Sequence, residues 1–173
     1  SACQCHHSSK FIPANDLSMK LDSIDIRILD LLQQDASLQV ADIAQQVGLS
    51  TTPCWRRIQR LKESGVITRQ VALLDAQKVN VGVTVFVSVR TSNHTQAWFD
   101  GFKAAVQAIP EVVEFYRMSG EVDYLLRVVV PDIAAYDRVY KRLIASTPLH
   151  DVSSSFAMEE LKLTTALPLG YVQ

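Results

Sequence analysis

Two stretches of this sequence gather side chains suited to binding. Between Thr51 and Arg69 five cations (Arg56, Arg57, Arg60, Lys62 and Arg69) stand against one anion, Glu63, a local charge of +4 in a chain whose total is −1. Interleaved with them are Ser50, Thr51, Thr52, Trp55 and Gln59. Cations in that density suit a duplex phosphate backbone, and the polar and aromatic side chains among them can touch base edges. The second stretch is Met118-Ser119-Gly120-Glu121-Val122-Asp123-Tyr124. A hairpin turn there offers backbone N–H groups to a carboxylate, and a neighbouring acid can hold an ammonium, which together suit an amino-acid zwitterion. The same string is also compatible with an ordinary Ser-Gly turn capped by Asp123.

Signs of catalysis are few. His94 and His150 stand alone on loops, Glu159-Glu160 reads as solvated surface, and Cys54 lies on the inner stripe of a helix as a small hydrophobe. There is no Gly-rich phosphate loop, no H-E-x-x-H and no Cys-x-x-Cys, so no enzyme and no cofactor are expected. Cys3, Cys5, His6 and His7 form a C-x-C-H-H cluster without a second ligand pair at zinc spacing, so it reads as part of an irregular leader and no metal site is expected. Three cysteines cannot build a disulfide framework, which fits a reducing cytoplasm. No apolar run reaches the ~18 residues of a membrane span. The 48% hydrophobic and 20% charged residues are those of a chain that buries a core, and a pI near 6.4 does not by itself point to nucleic acid.

The elements that must position these residues can be read from periodicity. Asp22, with Asp25 three residues on, opens a helix whose stripe is Leu21, Ile24, Ile28, Leu31 and Leu32. Val40, Ile43, Ala44 and Val47 give a second helix, ended by Gly48 in the left-handed region, with Leu49 filling the gap that follows. Gln39 is a weak cap for that helix. Ser50 caps the third, Pro53 falls in its first turn, and Cys54, Ile58 and Leu61 face inward, before Gly65 ends it. This is a helix-turn-helix with a basic recognition helix. An isolated basic helix would be read as a solvated face, but here turn, cap and basic outer face coincide. Val66 to Leu74 has strand character and reads as a wing or connecting strand.

From Val81 the pattern becomes a βαββαβ alternation: strand 82–90, helix 95–109 with Trp98, Phe102, Val106 and Ile109 inward, strand 112–118, a tight turn at 119–121, and strand 122–130. A second helix follows Pro131-Asp132, with Ile133, Tyr136, Val139, Tyr140, Leu143 and Ile144 inward, then a stop at Pro148 and a last strand 151–161. The fold class is α+β, a three-helix (winged) helix-turn-helix domain followed by a ferredoxin-like unit. Two helices cover only one sheet face, yet Phe86, Leu125 and Val129 lie on the other, which predicts a second subunit packed sheet against sheet. Such a two-fold dimer would carry two recognition helices to a pseudo-palindromic operator.

The segment from Leu21 to Gly65, with LDSIDIRILDLLQQD and VGLSTTPCWRRIQRLKESG, and VALLD after it, resembles the leucine-responsive/asparagine-regulator (Lrp/AsnC) family of bacterial transcription factors. The resemblance covers about Leu21 to Leu169. It implies that S-G-x-x-D-Y (Ser119 to Tyr124) is the effector loop of an amino-acid-binding domain, with Ser155, Phe156 and Ala157 of the last strand contributing. It also implies a pocket between dimers that assemble further, into tetramers or octamers. SSSFAMEELKLTTALPL and TTPCW resemble the branch that holds cysteine-responsive, branched-chain and proline-catabolism regulators, so cysteine, a branched-chain amino acid or proline are candidate effectors.

The expected organisation is a leader over 1–19, a DNA-binding domain over 20–65, a connecting strand and linker over 66–81, an effector and oligomerisation domain over 82–164, and a tail over 165–173. Thr52, Trp55, Arg56 and Gln59 are expected at base edges, and Arg57, Arg60 and Lys62 at phosphates. The competing reading is a ferredoxin-like enzyme or small-molecule-binding module with a helical domain that only mediates interaction.

Overall fold

The structure is a computed structural model that describes residues 20–146 and 149–172; Cys3, Cys5, His6 and His7, and the stop at Pro148, lie outside them. The chain divides into two compact units. Residues 20–71 join with 164–172 in the first, and Ala72–Leu163 form the second.

Three helices build the first unit: α1 (Ser23–Gln34), α2 (Val40–Val47) and α3 (Thr51–Glu63). Asp22 starts α1 with a complete capping box: its carboxylate accepts from the Ile24 and Asp25 amides, and the Asp25 carboxylate accepts from the Asp22 amide. Gly48 ends α2 at φ 75°, which lets the Leu49 amide donate to the Ala44 carbonyl at 2.8 Å. Ser50 occupies the N-cap of α3, but its hydroxyl makes no capping bond, and Gln39 makes none for α2. Ile28, Leu29, Ile43, Ala44, Val47, Cys54, Ile58 and Leu61 form the buried core.

Two segments differ from expectation. Val66 to Leu74 forms no strand; Ile67 donates to the Leu61 carbonyl at 3.0 Å and packs on the helical core, while Val71, Leu73 and Leu74 are exposed. Strand propensity is a preference for fitting a sheet, and the described residues offer this segment no partner strand. The tail, in turn, is built into the first unit. The Gln33 carboxamide donates to the Leu167 carbonyl at 3.0 Å and accepts from the Leu167 amide at 2.8 Å. Leu169, at the head of a 3-10 turn (Leu169–Tyr171), packs on the same core.

The second unit runs β1 (Val83–Arg90), α4 (Gln96–Gln107), β2 (Val112–Arg117), β3 (Tyr124–Val130), α5 (Ile133–Ser146) and β4 (Asp151–Phe156). Its antiparallel sheet has the order β2-β3-β1-β4, the ferredoxin-like arrangement. Strict alternation sends Val85, Val87, Val89, Leu126, Val128 and Val130 under the two helices, against Phe102, Val106, Val139 and Leu143. Thr95 caps α4 through the Trp98 amide, and Asp132 caps α5 through the Ala135 amide at 2.7 Å.

The strand expected over 151–161 stops at Phe156, although Ala157 still donates to the Thr84 carbonyl at 2.9 Å. On α5 the inward stripe is Ala135, Tyr136, Val139 and Leu143. Ile133, the first helical residue, precedes it, and Ile144 lies ~100° round the helix from Leu143, so both are exposed. The uncovered sheet face is mixed, not apolar throughout. Phe86, Tyr116, Leu125 and Val129 alternate there with Thr84, Ser88, Ser153, Ser155 and an ion pair of Arg127 with Glu114 at 2.6 Å. Among the described residues no helix is long and apolar enough to cross a membrane, and no cluster of His, Cys, Asp and Glu could hold a metal.

Candidate nucleic-acid interface and effector loop

Helix α3 has one face in the core, one face free and one face held. Cys54, Ile58 and Leu61 are buried, and burial pushes the Cys54 thiol pKa up. Ser50, Thr51, Thr52, Trp55, Arg56 and Lys62 are exposed, Trp55 by 51%, and Gln59 is half-buried. Arg56 and Lys62 enter no ion pair among the described residues.

Arg57 and Arg60 were expected at phosphates, and here the geometry differs. Arg57 Nη1 donates to Asp22 Oδ2 at 2.6 Å and to Asp25 Oδ1 at 2.8 Å. Arg60 Nη2 donates to Asp25 Oδ2 at 2.5 Å. The Asp25 side chain is only 1% exposed, against 26% for Arg57 and 48% for Arg60. A carboxylate this buried needs cationic partners, and these two guanidiniums supply them. A phosphate would have to compete with them for Arg57. The Asp25 amide holds the Asp22 carboxyl below the usual aspartate range, with help from Arg57, while Asp22 and then Asp25 raise Arg57.

The loop from Met118 to Asp123 is wider than the tight turn expected. The Met118 amide donates to the Asp123 carbonyl at 2.8 Å, Gly120 takes φ 117°, and Glu121 pairs loosely with Arg90 at 3.6 Å. Asp123 does not cap the Ser119-Gly120 turn. Its Oδ2 accepts from the Thr91 amide at 2.8 Å, and its own amide donates to the Val89 carbonyl at 3.1 Å, so it ties the loop to the chain leaving β1. Tyr124, expected at the effector, has its ring in the core between Trp98, Phe99, Phe102 and Phe115, with centroids 5.3 to 5.9 Å away. Desolvation there raises its hydroxyl pKa. Its position on β3, in phase with Leu126, Val128 and Val130, is the sequence signal that gives this away. Met118, Ser119, Gly120 and Glu121 are exposed.

Ser155, Phe156 and Ala157 are not brought to that loop within one chain. Phe156 pairs with Val85 and Ser155 with Phe86, whereas Tyr124 pairs with Val89 on the opposite edge of β1. Four residues along a strand are ~13 Å. Sequence reasoning gave Asp25 only its capping role and passed over Thr91; these two residues hold the two candidate surfaces from behind.

A winged helix-turn-helix DNA-binding model matches residues 21–68, and the Lrp/AsnC ligand binding domain matches residues 84–167. The chain is 50% identical over 150 residues to the DNA-binding transcriptional activator DecR of Escherichia coli K12, covering 86% of this chain and 99% of that one. The chain belongs to the Lrp/AsnC family. Like other Lrp/AsnC members it is a transcriptional regulator that joins a DNA-binding domain to a ligand-binding domain. Solved Lrp/AsnC-type structures agree in fold. An AsnC family regulator from Agrobacterium tumefaciens shares 64% identity at a TM-score of 0.85, covering 88% of this chain and 99% of that one. The regulator NMB0573 of Neisseria meningitidis, solved with L-Met, shares 34% identity at 0.85, covering 89% and 100%.

Proposed function

We propose that this Lrp/AsnC chain reads a pseudo-palindromic operator with α3 and that an amino acid held at the ligand-binding unit sets its assembly and thereby its grip on DNA. What carries the DNA part is the free face of α3, where Thr52, Trp55, Arg56 and Gln59 can reach base edges and Lys62 can reach a phosphate, with Ser50 and Thr51 beside the backbone. The amino-acid part draws support from the Neisseria relative in complex with L-Met. Met118, Ser119, Gly120, Glu121 and Asp123 would line one half of the pocket and Ser155, Phe156 and Ala157 the other. Because these halves lie at opposite ends of β1, a single pocket takes them from different copies of the chain. A dimer over the face of Phe86, Leu125 and Val129, assembling into tetramers or octamers, would bring them together. Cysteine, branched-chain amino acids and proline are the effector candidates. No catalytic role is assigned to any residue, and the site of action is the cytoplasm.

Linkage supplies the mechanism. An effector that prefers one assembly state shifts the population toward it, and operator affinity changes by the same coupling free energy. The test is a gel shift on the gene's own upstream DNA, repeated with each of the twenty amino acids, beside a thermal-shift screen. A ligand at 100 times its Kd should add ~2.7 kcal/mol of stability. Absence of any shift at low ionic strength overturns the DNA reading. A shift indifferent to all twenty amino acids overturns the effector reading.

A further inference from the structure

We propose that Asp25 is the positioning residue of the recognition helix, and that Arg57 and Arg60 serve it there and do not serve as phosphate ligands. The inference rests on the DNA-reading role of α3 given above. Asp22 and Asp25 stand three residues apart at the start of α1, and Arg57 and Arg60 stand three residues apart on α3, so each pair shares a helix face. The four side chains interlock in alternating sign: Asp22 holds Arg57, Arg57 holds Asp25 and Asp25 holds Arg60. Asp25 is also fixed from its own side, because it accepts the Asp22 amide at 3.2 Å in the capping box. It is a buried charged residue beside a helical core that is otherwise apolar. Apolar contacts tolerate rotation and sliding, whereas a planar guanidinium bonded to two carboxylates tolerates little of either. The ladder therefore fixes how far α3 is turned about its axis, and with it where Trp55, Arg56 and Gln59 point. Arg27 adds a bond from α1 to the Gln46 carbonyl at the end of α2, so α1 braces both helices of the reading motif.

Two accounts of these arginines give opposite results. A phosphate ligand helps every duplex equally and contributes about one to the salt slope. A positioning residue helps only the sequence whose base edges are met. The experiment begins by selecting a preferred duplex from a random pool with the full-length wild-type protein. Binding to that duplex and to a scrambled one of equal length is then measured across salt concentrations for wild type, Arg57→Lys, Arg60→Gln and Asp25→Asn. Arg57→Lys keeps the charge but replaces the planar guanidinium, whose Nη1 reaches both Asp22 and Asp25, with a shorter, freely rotating ammonium. It should lose at least ~10-fold on the selected duplex, about 1.4 kcal/mol, with unchanged affinity for the scrambled one and an unchanged salt slope. Arg60→Gln should do the same. Asp25→Asn should lose discrimination while its scrambled-duplex affinity stays level or rises, because two cations are released.

Arg57→Lys is the safeguard if Asp25→Asn fails to fold, since Arg57 is partly exposed and keeps its charge. Circular dichroism must show the same helix content as wild type, which separates a turned helix from a melted one. Arg57→Lys with full discrimination, or Arg60→Gln weakening both duplexes equally with a slope smaller by about one, overturns the positioning role while leaving DNA reading intact. A wild-type protein that enriches no sequence overturns DNA reading itself, and the proposal with it.

Discussion

The two units each hold an exposed candidate segment from behind with a carboxylate, and they do it by different bonds. In the first, Asp25 grips two guanidiniums on a neighbouring helix. In the second, Asp123 grips one backbone amide, that of Thr91, and an aromatic cluster around Tyr124 supports the strand it starts. An ionic anchor suits a rigid element that must present several side chains at fixed angles. An amide anchor suits a loop that has to accommodate a ligand, because the backbone partner stays available whatever side chains surround it. The difference also decides legibility. A side-chain anchor restricts the residue types at both of its ends, here acids and arginines at three-residue spacing, although only the fold shows that they meet; a backbone anchor restricts none at the partner.

The contrast between the units fails most completely if their cores do not melt independently. Phe102, fully buried in the second unit, should cost ~3–5 kcal/mol when replaced by Ala. Scanning calorimetry should show that loss in one transition while the helical unit melts unchanged; a common shift of all the heat absorption would merge the two units thermodynamically. Next comes the free face of α3. Arg56→Ala should cost ~1–3 kcal/mol at one operator position, and Lys62→Ala should weaken all sequences alike and lower the salt slope by about one. Equal losses on operator and random DNA for both would erase the distinction between them.

In the loop, Asp123→Asn should cost ~1–2 kcal/mol, since a charged acceptor for the Thr91 amide becomes a neutral one, and should abolish the response to the effector with DNA binding intact. Faster hydrogen exchange at the Thr91 amide reports the loosened tie, and an unaltered effector response would remove Asp123 from the pocket. The smallest effect concerns Asp22. Its carboxyl pKa is depressed when folded, so its contribution is present above the ordinary aspartate value and is lost as pH falls through the lower folded value, below about 4. Asp22→Asn preserves the cap, removes the pairing with Arg57, and should cost only ~0.5 kcal/mol at pH 7, because this pair is half in solvent. That difference from wild type should shrink in melts as the pH is taken down below the ordinary aspartate range, because the Asp22 carboxyl then takes up a proton in the folded state too.

Gly48, Leu49 and Pro53 made the helix-turn-helix readable because each has a steric or hydrogen-bonding reason to be where it is. The βαββαβ order was readable because period two and period 3.6 alternate cleanly along Val83 to Phe156. What escaped was pairing across distance. Arg57 and Arg60 look solvated from their own helix, and only the third dimension brings α1 against them. Val66 to Leu74 has the composition of a strand, but composition cannot supply a partner. Tyr124 sits at the edge of a polar loop, and its loop neighbours outweighed the strand phase that places it inward.

The clasp between Gln33 and Leu167 has a consequence for biosynthesis. The helical unit, although encoded before the ligand-binding unit, receives Leu167 and Leu169 from a segment encoded after it. On the ribosome α1 to α3 emerge early, yet the returning segment can dock only once the whole ligand-binding unit has been translated. The reading head therefore receives its last pieces only after every residue of the ligand-binding unit has been synthesised.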